Sequence, residues 1–212
     1  MGLRDLFKRK SLARWLRRIF KRSHAKIGIY GPPNSGKTTL ANKIGLDWTG
    51  EELGVVSAVP HETRRANKKE NIIIQNGRGK LQLDIVDTPG IATKVDYKEF
   101  MKCGLSKGDA RKRAKEATEG VIESIRWLND IDGVLLVMDA CKDPYTQINI
   151  TILGNLEARA LPVLLVANKI DLPNASPTTI INAFPQHRVV PISALQGERI
   201  EDLYKGIVEC FG

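Results

Sequence analysis

The octet Gly31-Pro32-Pro33-Asn34-Ser35-Gly36-Lys37-Thr38 brings together the residue types needed to hold a polyphosphate. It fits the pattern GxxxxGK[ST] and lies between a short apolar run and a helix-forming run, where such a loop must sit. Glycine lets the backbone wrap closely around phosphate oxygens, and successive N–H groups at a helix N-terminus form an anion nest. Gly31, Asn34, Ser35, Gly36, Lys37, Thr38 and Thr39 are therefore the expected phosphate contacts. Lys37 is expected to bridge β- and γ-phosphates, and the Thr38 hydroxyl to ligate Mg²⁺.

Asp87-Thr88-Pro89-Gly90 ends a second apolar run. A carboxylate at a strand end opposite a phosphate loop can hold Mg²⁺, usually through a water. That is the expectation for Asp87, and the Gly90 N–H is then placed to meet a γ-phosphate. Asn168-Lys169-Ile170-Asp171 follows a third such run, and here the residue types name the base. A fixed Asp171 carboxylate can accept from guanine N1–H and from its exocyclic amino group. Adenine offers neither at those positions, and a site built on hydrogen bonds rejects the analogue lacking them by large factors. The Lys169 stem can lie along the base plane. Asn168 is expected to tie this loop to the phosphate loop. In Ser193-Ala194-Leu195 the Ala194 N–H can donate to guanine O6. GTP and GDP are the ligands these residues predict.

These side chains need strand ends to position them. Residues 26–30 precede the phosphate loop and residues 39–44 begin a helix. Residues 72–75 and 81–86 read as strands joined by Asn76-Gly77-Arg78-Gly79, a hairpin signal. The runs 133–138 and 163–167 are continuously apolar, as strands buried on both faces should be. Between them, 147–160 has helical spacing at Ile148, Ile152 and Leu156. Residues 94–130 are charged and mostly helical in composition, with a start at Ser106 or Asp109; 188–192 and 198–211 read as a last strand and a last helix. Strands alternating with helices predict an α/β fold with right-handed crossovers. The expected architecture is three-layered and doubly wound, with a mainly parallel six-stranded sheet and one antiparallel edge strand. Its ligand belongs at the carboxyl ends of the strands.

The sequence has 212 residues and a formal net charge of +9. Residues 1–26 hold ten of the 33 basic residues and one acid, Asp5, so 27–212 balances 23 basic against 23 acidic residues. The basic pI therefore says nothing of the body, and the reading of a basic nucleic-acid-binding fold is weakened. Residues 1–25 form an expected amphipathic arm, with Leu3, Leu6, Phe7, Leu12, Trp15, Leu16, Ile19 and Phe20 on one face and Arg and Lys on the other. Residues 26–212 form the expected second unit. The three cysteines, Cys103, Cys141 and Cys210, have no metal-ligand spacing and fit a reducing cytosol. No apolar run approaches the ~18 residues of a membrane span.

With GPPNSGKT, DTPG, NKID and SAL in order, each at a strand end, residues 26–212 resemble the G domain of Era-like GTP-binding proteins of the TrmE–Era–EngA group. The resemblance implies Mg²⁺-dependent hydrolysis of GTP to GDP and phosphate and a switch between the two nucleotide states. It implies a first switch around Val56-Ser57-Ala58-Val59-Pro60-His61-Glu62-Thr63, with Thr63 as second Mg²⁺ ligand and Thr49 and Ser57 as alternatives. Lys37, Asn34, Gly90 and Thr63 make up the expected catalytic set. An Asn at position 34 is associated in such relatives with a monovalent cation, so K⁺ stimulation is a further expectation. Ile91 stands where Ras-type enzymes carry a water-positioning Gln and cannot hydrogen-bond to water, which keeps a second class open: a GTP-regulated binding module with negligible turnover. Bacterial Era carries an RNA-binding KH domain after its G domain; this sequence runs one helix past the SAL motif, so that function is not expected to carry over.

The arm, residues 1–22, has three readings: an anionic membrane surface, ribosomal RNA phosphates, or a helix packed on the G domain or a partner. The protein is expected to be cytoplasmic, and the first reading would add a peripheral place at the inner membrane face. An effector is expected at the switch regions, and residues 94–120, richer in Lys and Arg than in acids, are either a solvated helix or part of that surface.

Overall fold

The computed structural model describes residues 24–52, 67–76, 79–88, 97–102 and 104–212. The predicted arm, the first switch with Ser57 and Thr63, the hairpin tip and the segment with Gly90 and Ile91 lie outside the described residues.

The uninterrupted apolar runs become the middle of one sheet. Its strands are β1 (His24–Tyr30), β2 (Asn67–Asn76), β3 (Gly79–Asp87), β4 (Gly133–Asp139), β5 (Val163–Asn168) and β6 (Val189–Ile192), in the order β2-β3-β1-β4-β5-β6. The β1–β3, β1–β4, β4–β5 and β5–β6 pairs are parallel, and β2–β3 is antiparallel. The sheet is thus the predicted one, with the hairpin supplying the antiparallel edge. Successive strands after β1 add first on one side of it and then on the other, which leaves a topological switch point at the carboxyl end of β1.

The described helices are α1 (Lys37–Thr49), α2 (Tyr97–Lys102), α3 (Lys107–Trp127), α4 (Gln147–Ala158), α5 (Pro177–Ala183) and α6 (Ile200–Phe211). Side chains alternate across each strand and feed two core layers. Ile27, Ile29, Leu135, Val137, Leu164 and Val166 face α1 and α6. Tyr30, Val134, Leu136, Met138, Leu165 and Ala167 face α4 and α5. Each fully buried Leu, Ile or Val contributes about 1.5–3 kcal/mol.

Two local differences from the sequence expectation have physical causes. Residues 94–130 divide into α2 and α3 at a turn where Gly104 takes φ +89°. Ser106 then caps α3: its Oγ accepts the Asp109 N–H at 3.2 Å and lies 2.6 Å from the Asp109 carboxylate. Such a cap stabilises a helix by about 1 kcal/mol. Helix α5 was not predicted, because its β-branched run Thr178-Thr179-Ile180-Ile181 has weak helical preference. Pro177 in its first turn and the burial of Ile180 against the sheet hold it. The Tyr30 hydroxyl donates to the Ser124 carbonyl of α3 at 2.8 Å, which ties the residue before the phosphate loop to the second described helix after the DTPG segment.

Candidate functional site

Strands β1, β3, β4, β5 and β6 all end at one edge of the sheet, and the predicted motifs meet there. After Tyr30 the chain turns through Gly31–Gly36 into α1. Gly36 sits at φ +94°, and a Cβ there would lie 2.2 Å from Asn168 Nδ2. Gly31, at φ +152°, has the Val137 carbonyl 2.3 Å from where a Cβ would be. Glycine is thus required twice, by conformation and by close approach. The first helical bond of α1 runs from Leu40 N–H to the Gly36 carbonyl at 2.9 Å. Gly36, at the N-cap, has no side chain with which to cap the helix, and the first turn holds no acid. The N–H groups of a helix's first turn have no intrahelical acceptor, and the helix dipole adds positive potential.

The Lys37 side chain folds back over the loop, and its Nζ donates to the Pro32 carbonyl at 2.8 Å. The Thr38 hydroxyl donates to Asp87 Oδ2 at 2.8 Å, which joins the phosphate loop to the end of β3. Thr88 locks that end in place: its hydroxyl donates to the Ile29 carbonyl of β1 at 2.7 Å. Asn34 has φ +60° and is exposed. Asn tolerates this left-handed region better than most side chains, which gives a reason of conformation alone for an Asn there.

On the base side, Asn168 acts as a clamp. Its Nδ2 donates to the Ser35 carbonyl at 2.9 Å, and its Oδ1 accepts the Ala194 N–H at 2.9 Å. One buried carboxamide therefore holds the phosphate loop and the loop after β6 together. A guanine O6 at Ala194 would have to share that N–H with Asn168. The Ser193 Oγ accepts the Gln196 N–H at 3.0 Å and shapes the turn. Asp171 is half-buried at the rim, and Leu195 is 73% exposed.

Residues 26–169 match the family model for the 50S ribosome-binding GTPase. The chain belongs to that GTPase family. It is 30% identical over 191 residues to GTPase Era of Ectopseudomonas mendocina (strain ymp), covering 86% of this chain and 54% of that protein. A crystal structure of Aquifex aeolicus Era bound to GDP·AlF4⁻ superposes with a TM-score of 0.68 at 25% identity, over 90% of this chain and 58% of that one. Era in complex with MgGDPNP and a 16S ribosomal RNA segment gives 0.67 at 25% identity, over 90% and 57%. The chain thus spans about half the length of the Era proteins it matches.

The electrostatics of this family member's site centre on two buried, opposed groups. Burial pushes the Lys37 ammonium down to about 8, with the Asp87 carboxylate acting in the other direction. Burial likewise pushes Asp87 up to about 6, against Lys37 and the Thr38 hydroxyl. Asp87 Oδ1 and Ser35 Oγ are buried without a hydrogen-bond partner.

The geometry joins predicted residues from Gly31 to Thr39 with Asp87, Asn168, Lys169, Ser193 and Ala194. Thr49 is elsewhere: it lies at the far end of α1, roughly 18 Å along the axis, with its hydroxyl bonded to the Gly45 carbonyl. Asp139 was missed. It ends β4, is 9% exposed, and accepts from Lys169 Nζ at 2.7 Å and from the Cys141 N–H at 3.0 Å. Burial opposes its charge, and these bonds outweigh burial and hold its carboxyl below the ordinary range. The available signal was a charged residue directly after the apolar run 133–138.

Proposed function

We propose that the chain binds GTP through the site built on these strand ends, hydrolyses it to GDP and phosphate, and acts as a nucleotide-dependent switch. The observation that carries this reading is the Asn168 clamp, which links the phosphate loop to the loop after β6 through one side chain. Phosphate contacts are assigned to Gly31, Asn34, Ser35, Gly36, Lys37, Thr38 and Thr39. The guanine contacts are Asn168, Lys169, Asp171, Ser193, Ala194 and Leu195. The Era relatives bound to GDP·AlF4⁻ and MgGDPNP support a guanine-nucleotide site.

The donor set fits Mg²⁺. The Thr38 hydroxyl adjoins Asp87, whose Oδ1 is buried and unpartnered. Among the described residues no cluster of three or more His, Cys, Asp or Glu could hold a metal. Mg²⁺ does not need one, because it keeps waters and takes phosphate oxygens. Thr38 would hold it directly, Asp87 through water, and Thr63 as second protein ligand; when bound, it neutralises charge on the β- and γ-oxygens. Lys37 does the same from the protein side, and the Gly90 N–H meets the γ-phosphate. Because Ile91 cannot orient water, unaided turnover is slow and another group must place the nucleophile. The exposed Asn34 carboxamide is the proposed K⁺ contact. Multiple-turnover phosphate release, with Lys37→Ala as the inactive control, tests the enzyme. Equal rates in K⁺ and Na⁺ would remove the cation.

A second reading follows from Ile91: a binding module that takes up GTP without turning it over. Tight GTP binding with no phosphate released under any salt condition would favour it. In either case the 1–25 arm is proposed to place the 26–212 unit, at an anionic membrane surface or on ribosomal RNA, and the switch segments to meet an effector. Among the described residues no helix is long and apolar enough to cross a membrane. Flotation with anionic liposomes and retention on an RNA column, with and without residues 1–22, separate the two placements.

The buried pair sets a pH window. Bound phosphates favour the Lys37 ammonium, so its bound pKa rises above about 8. Affinity is therefore full below pH 8 and falls as pH rises through the interval, by up to about tenfold per unit. Asp87 is ionised above about pH 6, so the Mg²⁺-dependent part of affinity is lost below that. GDP titrations from pH 5 to 9.5, with and without Mg²⁺, should show a plateau between 6 and 8. Affinity unchanged to pH 9.5 would contradict the assignment of Lys37.

A further inference from the structure

Among the motif residues, the Asp139 side chain bonds only to Lys169, which it fixes from the far end. In the β4–β5 register Asp139 lies beside Asn168, and its carboxylate reaches one residue further to hold Lys169 Nζ at 2.7 Å. The Lys169 backbone is at φ +71°, a left-handed conformation that a lysine rarely adopts. The neighbouring loops are knitted around the same point. The Ala140 N–H donates to the Asn168 carbonyl at 2.9 Å, and the Ser176 N–H to the Ala140 carbonyl at 2.8 Å. The other Asp139 oxygen accepts the Cys141 N–H. Lys142 approaches Asp139 only to 3.9 Å from an exposed position, so it does not compete for the short contact.

We propose that Asp139 is a positioning residue for guanine recognition: it tethers the Lys169 ammonium so that the lysine stem is laid out as a preformed floor for the base. The inference rests on the guanine-site reading above. A stem fixed at Cα by its backbone and at Nζ by Asp139 has no freedom left to lose when the base arrives. Ordering one free long side chain on binding weakens affinity by roughly two- to tenfold. The tether acts on the base side alone. It leaves the contacts of Lys37, Thr38 and Asp87 unaltered, so it should slow release without changing the chemical step.

The test is a double-mutant cycle on release of a fluorescent GDP analogue, with single-turnover phosphate release as second readout. Asp139→Asn keeps an acceptor for the Cys141 N–H and removes the charge. It should speed GDP and GTP release by about two- to tenfold alike, with the single-turnover rate constant unchanged. In a Lys169→Met background, which keeps the stem but has no ammonium to tether, Asp139→Asn should add less than about twofold. The same acceleration in both backgrounds, or none in the first, overturns the inference. If Asp139→Asn does not fold, Lys169→Met alone must accelerate release, and a wild-type rate overturns the inference. A wild-type protein that retains no guanine nucleotide would overturn the proposed function, and with it this tether. Retention by the wild type with unaltered release from Asp139→Asn would overturn the tether alone.

Discussion

Asp171→Asn should lower the affinity for both GTP and GDP by about 10²- to 10³-fold while leaving the melting temperature nearly unchanged. The variant keeps the shape and one carbonyl acceptor for guanine N1–H. Its second atom becomes an NH2 facing the exocyclic amino group of the base, so an acceptor is replaced by a donor against a donor. The same change suits xanthine, which presents N1–H and a carbonyl at the corresponding positions. Xanthosine diphosphate should therefore bind Asp171→Asn more tightly than GDP does, and wild type less tightly. Because Asp171 is at the rim, half-buried and bonded to no other described side chain, the effect should be confined to ligand affinity. Competition titrations with the two diphosphates read the swap directly. Equal preference in both proteins would place guanine recognition elsewhere.

The second large effect concerns a residue with no side chain. Gly36→Ala puts a Cβ 2.2 Å from Asn168 Nδ2 and imposes an L side chain on φ +94°. The left-handed conformation alone costs about 1–2 kcal/mol. The steric conflict adds the loss of the Asn168 bonds to Ser35 and Ala194, each worth about 1 kcal/mol and leaving buried polar groups behind. We expect a loss of nucleotide affinity of at least about a hundredfold and a Tm lower by about 5–10 °C. Among the described residues beyond its chain neighbours and the helix backbone, Asn168 alone comes within 4 Å of the added carbon, so Asn168→Ala removes the conflict. In that background Gly36→Ala should cost about 1–2 kcal/mol, and the two substitutions together should be far less damaging than their sum. Additive losses, by melting and by GDP titration, would show that the contact is not what requires glycine at 36.

Legibility differed between parts of the molecule for identifiable reasons. Strands β4 and β5 were plain because burial on both faces demands continuous apolar runs, and Asn168 announces the end of β5. The phosphate loop was legible because its conformation admits few residue types at Gly31 and Gly36. Helix α5 was not, since seven residues carry little periodicity and its hold on the sheet is tertiary. The division between α2 and α3 was hidden because one glycine in a charged stretch is a weak signal. The Asn168 clamp was anticipated from its motif, but its second bond, to the Ala194 N–H, joins residues 26 apart in sequence and depends on the β5–β6 register. Asp139 was missed for the same reason. Its partner is 30 residues away, and nothing local marks it as more than the end of a strand.

Helix α6 bears on how the chain is made. Tyr204, Ile207 and Phe211 share one buried layer with Ala25, Ile27 and Ile29 of β1 and Leu40 and Ile44 of α1. On a ribosome the strand and helix that flank the phosphate loop emerge well before the helix that covers them. Until then the apolar face of β1 is covered only in part, by α1, and its parallel partners β3 and β4 are joined only through long chain separations, which fold slowly. The nascent protein therefore has no closed nucleotide pocket to offer early in translation. Its dependence on chaperones should be greatest in the interval between synthesis of β1 and emergence of α6.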